Sequence, residues 1–91
     1  MDLIQLITFL DTNFTRKVKS TKNDTNIMAW ENHNHEDITV IVDETSTTYT
    51  NVIQLCLKNS NNTVYLYINH IIRRNLTKIK LADITSICIE E

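Results

Sequence analysis

The sequence predicts an α+β domain in which one N-terminal amphipathic helix packs on an antiparallel meander of about five strands. Two observations lead to this fold class: apolar residues recur at helical spacing near the start of the chain, and they alternate with polar residues along most of the remainder. With 91 residues the chain has room for one domain, residues 1–91, which is large enough to fold around a single apolar core.

The helix is predicted over about residues 2–13. Asp2 is a suitable N-cap, and Gln5 stands where a capping box needs an amide side chain. Apolar residues then recur on one face, and we expect the helix to pack on the sheet through four of them, Leu3, Leu6, Ile7 and Leu10.

The strands are predicted from alternation with a period of two. They are expected at residues 27–31, 37–43, 51–58, 63–72, 77–82 and 83–89, with a short basic strand at 16–20 as an addition. Residues 59–62 are predicted to form a hairpin loop, because three of the four are Asn, the best substitute for glycine in a turn. Trp30 is expected in the core against the helix, and an exposed binding anchor is the alternative.

One face of the predicted sheet holds more apolar side chains than a solvated face needs. Ile53, Leu55 and Leu57 are expected to face the core, which leaves Val52 and Cys56 on the opposite face, where Tyr65 and Tyr67 are also expected. Either the sheet curls into a small barrel or a partner covers that face. We expect a symmetric homodimer, since no proline protects the strand edges.

The chain contains no glycine and no proline. Phosphate-binding loops, dinucleotide fingerprints and nucleophile elbows all use glycine for close approach or sharp turns, so none of these sites is predicted. No pair of acids and no nucleophile–base pattern stands out, and we therefore do not expect an enzyme. Left-handed turn positions must fall to other residues, chiefly the eleven asparagines.

His33 and His35 are the nearest approach to a metal site. On an extended backbone both imidazoles would project to one side, next to several carboxylates. Two ligands do not complete a site, and His70 or a cysteine would have to close it. We therefore interpret the segment as a polar acidic loop between strands and predict neither a metal nor another cofactor.

Charge is unevenly distributed although the net charge is only −2. Basic runs lie at residues 16–22 and 73–80, and the segment between residues 24 and 44 holds acids without a single Lys or Arg. A fixed set of carboxylates can imitate a phosphate backbone and occupy a basic groove on another protein. The residues expected to bind a partner in this way are Glu36, Asp37, Asp43 and Glu44.

The source of the chain bears on the same hypothesis. Residues with GC-rich codons, Gly, Pro and Ala, are absent or scarce, whereas Asn and Ile are abundant, which is typical of AT-rich genomes such as those of many phages. The first function hypothesis is therefore a small phage or mobile-element accessory protein that binds and blocks a host protein, for example one of antiviral defence. Without a long apolar stretch or a basic leader, it is expected in the cytoplasm, the host's if phage-encoded.

The alternative hypothesis is a small nucleic-acid-binding or regulatory domain. The basic runs would bind phosphates, and Tyr65 and Tyr67 would stack bases on a sheet face. The bases expected to matter most in this case are Arg73, Arg74, Lys78 and Lys80. Substituting the four acids or these four bases distinguishes the two hypotheses.

Overall fold

The computed structural model describes residues 1–17, 27–70 and 76–90. In chain order its elements are α1 (Leu3–Asn13), β1 (Thr15–Lys17), β2 (Ile27–Glu31), β3 (Asp37–Val42), β4 (Thr45–Tyr49), β5 (Val52–Ser60), β6 (Thr63–His70), β7 (Thr77–Lys80), a 3₁₀ turn (Leu81–Asp83) and β8 (Ile84–Glu90). The predicted α+β class, one N-terminal helix with an antiparallel five-stranded sheet, is confirmed. Asn75, which the sequence predicts as the turn residue before the strand at 77–82, lies outside the described residues.

The strands form two antiparallel sheets. The larger has five strands in the order β1-β2-β5-β6-β7, and the smaller has three in the order β4-β3-β8. The β3–β4 hairpin therefore interrupts the meander, because it leaves the larger sheet and pairs with the C-terminal strand. Both sheets and α1 contribute side chains to one apolar core, formed by Leu6, Leu10, Phe14, Trp30, Ile38, Val40, Val52, Leu55, Leu57, Leu66, Ile68, Leu81, Ile84 and Ile87.

Helix α1 begins at a capping box, as predicted. The carboxylate of Asp2 accepts a hydrogen bond from the backbone N–H of Gln5 at 2.8 Å, and the Gln5 side chain accepts one from the backbone N–H of Asp2 at 3.1 Å. Leu6 and Leu10 are fully buried and Ile7 is half-buried. The prediction that Leu3 packs on the sheet was wrong, because Leu3 keeps 39% of its surface exposed.

Trp30 is the largest fully buried side chain, as the core interpretation predicted. Its indole N–H donates to Asp11 Oδ1 of α1 at 2.8 Å, which satisfies the one polar group that burial would otherwise leave without a partner. This bond ties the helix to the second strand of the larger sheet.

The face prediction for the start of β5 was wrong. The register of β5 against β6 shifts between Val52 and Gln54, so that an irregularity reverses the alternation at this point. Val52 is therefore fully buried together with Leu55 and Leu57, whereas Ile53 is only half-buried. Cys56 and Tyr67 remain on the opposite face, directly across from each other.

Strand β4 has no counterpart in the sequence prediction. Its sequence, TSTTY, contains no aliphatic residue, and its first four residues are exposed, so the chain carries no alternation to detect. Backbone pairing with β3 holds it in the sheet.

Two-residue turns with positive φ close both long hairpins. Asp43 and Glu44 have φ of 48° and 66°, and Asn61 and Asn62 have φ of 52° and 64°. Left-handed residues at both central positions match the right-handed twist of the flanking strands, which is why such turns normally contain glycine. Asn is the substitute expected in a glycine-free chain, whereas Glu at such a position is unusual.

No helix in the described ranges is long and apolar enough to cross a membrane.

Candidate nucleic-acid interface

The outer face of the larger sheet carries aromatic and basic side chains in register. Side chains of residues that pair directly across antiparallel strands project to the same face of the sheet. Successive pairs therefore form rows of side chains that cross the strands. One row runs Lys17, Ala29, Cys56, Tyr67 and Lys78 from β1 to β7. The next row contains Lys58, Tyr65 and Lys80. We call Lys17, Lys58, Tyr65, Tyr67, Lys78 and Lys80 the tyrosine–lysine face.

The two tyrosines stand two residues apart on β6 and are half-buried. Their ring centroids are 6.5 Å apart, with ring planes inclined at 58°. The Nζ atom of Lys78 lies 4.2 Å from the centroid of the Tyr65 ring, a cation–π contact. The phenol rings therefore form two neighbouring apolar platforms with positive charge beside them.

The lysines of this face differ in how far their charge is neutralised. Lys17 forms an ion pair with Glu31, whose other carboxylate oxygen lies 3.2 Å from His33 Nε2. The hydrogen bond from Lys17 holds the pKa of Glu31 below its ordinary value. Lys58, Lys78 and Lys80 are exposed, and within the described residues none of them is in an ion pair.

The first basic run is divided between the two faces of the sheet. Arg16 pairs with Trp30 in register and therefore projects toward the helix, where its Nη2 lies 2.7 Å from Asp11 Oδ2. Hydrogen bonds from Trp30 and then from Arg16 hold the pKa of Asp11 below its ordinary value. The side chains of Arg16 and Lys17 therefore lie on opposite faces of the sheet. The remaining predicted bases, Lys19, Lys22, Arg73 and Arg74, lie outside the described residues.

The four predicted partner-binding acids lie at two places. Glu36 and Asp37 stand at the start of β3, where Asp37 is opposite Glu90 of β8. Asp43 and Glu44 form the turn at the other end of the same strand, about 20 Å away for six residues of extended chain. The structure therefore brings the acids together as two pairs.

Positive charge is nevertheless confined to one of the two sheets within the described residues, although the larger sheet also holds the acid Glu31. Every Lys and Arg in the described ranges lies in the larger sheet: Arg16, Lys17, Lys58, Lys78 and Lys80. The smaller sheet and its hairpin turn hold only acids among their charged residues: Asp37, Asp43, Glu44 and Glu90. The uneven charge distribution expected from the sequence is thus present in the part of the chain that the structure describes.

The histidines are placed separately. His33 contacts Glu31, and His35 occupies a left-handed position in the β2–β3 loop, with φ of 49°. His70 lies at the far end of β6, where its Nδ1 is 2.9 Å from the Thr50 carbonyl oxygen and its Nε2 is 3.3 Å from Thr77 Oγ1. Among the described residues, no three His, Cys, Asp or Glu side chains are grouped closely enough to hold a metal.

Sequence reasoning missed Lys58 as a member of this site. It was not part of a basic run, and only the register reveals that it faces Tyr65 directly across from β5. The available signal was its alternation with Cys56 on β5, which assigns both residues to the face that also holds the tyrosines.

Comparison with known protein families, with curated protein sequences and with solved structures finds no match for this chain.

Proposed function

We propose that the protein binds single-stranded nucleic acid on its tyrosine–lysine face. The observation that carries this proposal is the pairing register: each tyrosine of β6 has a lysine directly opposite on β7, and Tyr65 has a second one on β5. Sheet faces that bind single strands combine aromatic platforms for successive bases with cations that track the backbone.

Each part of the face has a separate role in this proposal. Successive bases stack on Tyr67 and Tyr65, and each stacked base contributes about 1–3 kcal/mol. Lys58, Lys78 and Lys80 bind phosphates, which for three contacts gives a slope of about −2 when the logarithm of affinity is plotted against that of salt concentration. Lys78 covers Tyr65 in the structure, so it leaves the ring when a base stacks there.

Fluorescence anisotropy with labelled oligothymidylate and oligouridylate tests the proposal. The triple variant Lys58→Gln, Lys78→Gln, Lys80→Gln is expected to lose most binding and almost all of its salt dependence, because it removes the phosphate contacts. Tyr67→Ala is expected to weaken binding about tenfold or more, since it removes one stacked base. Circular dichroism verifies that each variant is folded.

Two controls make the test specific. Lys17→Gln removes a lysine of the same face whose charge Glu31 already neutralises. It is therefore expected to weaken binding less than Lys58→Gln, Lys78→Gln or Lys80→Gln made singly. The second control neutralises the four predicted acids and is expected to bind the oligonucleotides as well as the wild type or better. It carries Glu36→Gln, Asp37→Asn, Asp43→Asn and Glu44→Gln. A triple lysine variant that binds with wild-type affinity would refute the proposal.

A second candidate is the acidic one: a phage or mobile-element accessory protein that blocks a host protein in the cytoplasm. Its support is the turn at Asp43 and Glu44, where exposed carboxylates occupy left-handed positions that Asn or Gly would fill at lower cost. Within the described residues none of the four predicted acids is in an ion pair. Affinity capture from nuclease-treated lysate tests it: the acid variant should lose the captured protein and the triple lysine variant should retain it.

A further inference from the structure

Two amide side chains lie beside Tyr67 on the outer face of the larger sheet. Gln54 of β5 and Asn69 of β6 are directly paired, and the next pair along the same strands is Leu55 and Ile68, which are fully buried. Since successive residues of a strand project to opposite faces, both amides project away from the core, to the face that holds Tyr67. Gln54 and Asn69 therefore form the row of side chains that follows the row of Tyr67.

The amide groups of this row are accessible to a ligand. Among the described residues no hydrogen bond involves the side chain of Gln54 or Asn69, and no buried side-chain nitrogen or oxygen there lacks a partner. The amide atoms of these two half-buried residues are therefore in contact with solvent. The amide of Asn32 differs, because it is buried and bonds to Glu36 and Val52. Gln54 and Asn69 each direct a donor and an acceptor outward instead.

Spacing along the strands places these amides next to one of the two tyrosines only. Residues two apart on a strand are about 7 Å apart, so Asn69 stands about 7 Å from Tyr67 and about 13 Å from Tyr65. Gln54 lies diagonally across from Tyr67, at about 7–8 Å, a distance that a long side chain can span. A base stacked on Tyr67 therefore has its edge within reach of both amides, whereas a base on Tyr65 is bordered by lysines.

We propose that Gln54 and Asn69 recognise the base that stacks on Tyr67 and select adenine, an inference that rests on the proposed function. Adenine presents N7, the N6 amino group and N1 in succession along one side. One amide binds N7 and one hydrogen of the amino group, and the other amide binds N1 and the second hydrogen. Both amides then have a donor and an acceptor satisfied, and bidentate pairing with adenine is a contact that Asn and Gln make in DNA complexes.

The other bases fully satisfy only one of the two amides. Cytosine, thymine and uracil have carbon C5 where adenine has N7, so the second amide lacks a partner there. In guanine the acceptor O6 stands beside N7, which leaves one amide oxygen without a donor. A polar group that remains without a partner in the complex lowers the affinity. We therefore expect base selectivity at the strand position on Tyr67 and none at the position on Tyr65.

Fluorescence anisotropy with labelled short oligothymidylate tests the inference, using the plain strand and strands with one central adenosine or one central cytidine. The wild type is expected to bind the adenosine strand about tenfold more tightly than the other two, because bidentate contacts discriminate between bases by about that factor. The variant Gln54→Met, Asn69→Leu keeps the size of both side chains. It is expected to bind all three strands with the affinity that the wild type has for plain oligothymidylate.

The control variant is Asn59→Leu, which removes an amide of β5 that pairs with Val64 and therefore lies on the opposite face. It is expected to keep the adenosine preference, and circular dichroism verifies the fold of each variant. Equal affinity of the wild type for the three strands would overturn the inference but not the proposed function, since stacking and phosphate contacts suffice for oligothymidylate. Binding to no strand would overturn both. An adenosine preference that persists in Gln54→Met, Asn69→Leu would show that other groups recognise the base.

Discussion

The two sheets carry similar side chains on their inner faces and different side chains on their outer faces. Inside, both supply aliphatic side chains to one core, Leu55 and Leu66 from the larger sheet and Ile38 and Val40 from the smaller. Outside, the larger sheet presents lysines and tyrosines, whereas the smaller presents hydroxyl groups with carboxylates at its ends. The shared core explains the fold, and the difference between the outer faces explains why two functions can be proposed for one small domain.

Truncating the shared core is expected to have the largest effect and shows whether the two sheets form one unit. Leu6 is fully buried in that core, and Leu6→Ala is expected to lower the free energy of unfolding by about 2–5 kcal/mol. Leu3→Ala, at a helix position that is 39% exposed, should cost less than about 1 kcal/mol. Trp30 fluorescence and hydrogen exchange of β3 should report the same loss for Leu6→Ala, and separate transitions would show that the sheets are independent.

Asn32 joins the sheets at the point where the chain crosses from β2 to β3. Its buried side chain donates to the carbonyl oxygens of Glu36 and Val52, both at 2.9 Å, and accepts from the backbone N–H of Glu36 at 3.2 Å. Asn32→Ala leaves these groups without their partner and is expected to cost about 1–3 kcal/mol. Asn34→Ala, in the exposed part of the same loop, is the control. Chemical denaturation measures the free energy of unfolding of both variants. Equal losses would show that the hydrogen bonds of Asn32 do not stabilise the junction between the sheets.

The hairpin turns of the two sheets are expected to respond differently to glycine. Glu44→Gly should stabilise the protein by up to about 1 kcal/mol, because glycine removes the cost of a left-handed Glu. Asn62→Gly in the larger sheet should gain no more than about a few tenths, since Asn already tolerates that conformation. Thermal melts of the two variants measure the difference, and a larger gain for Asn62→Gly would show that the left-handed Glu44 is not the more strained residue.

The ion pair between α1 and the larger sheet predicts a small pH effect. The pKa of Asp11 is lowered in the folded state, chiefly by the hydrogen bond from Trp30 and then by the one from Arg16. A lowered folded pKa stabilises the protein above the ordinary value of 3.8, and this contribution is lost as the pH falls through the folded value. Carboxyl NMR titration of Arg16→Gln should show the Asp11 midpoint moving up toward 3.8, whereas an unmoved midpoint would exclude Arg16 as a cause.

The parts of the fold that sequence reasoning predicted are those with a local signal. The capping box at Asp2 and the alternation in β6 are encoded in adjacent residues, and both are confirmed. Strand β4 and the irregularity at Val52 depend on backbone pairing with distant strands, which leaves no local apolar pattern. The site follows the same division: alternation predicts that Tyr65 and Tyr67 share a face, but the position of Lys58 directly opposite Tyr65 is known only from the register between strands.

In the proposed function, the outer face of the larger sheet is the surface that binds single-stranded nucleic acid. A ¹H–¹⁵N correlation titration with unlabelled oligothymidylate tests it directly, because each backbone amide reports its own position. We expect the shifts to concentrate at the tyrosine–lysine face, at Lys58, Tyr65, Tyr67, Lys78 and Lys80. The amide signals of Asp37, Asp43 and Glu44 are expected not to shift. Shifts confined to the smaller sheet, or none at oligonucleotide excess, would contradict it.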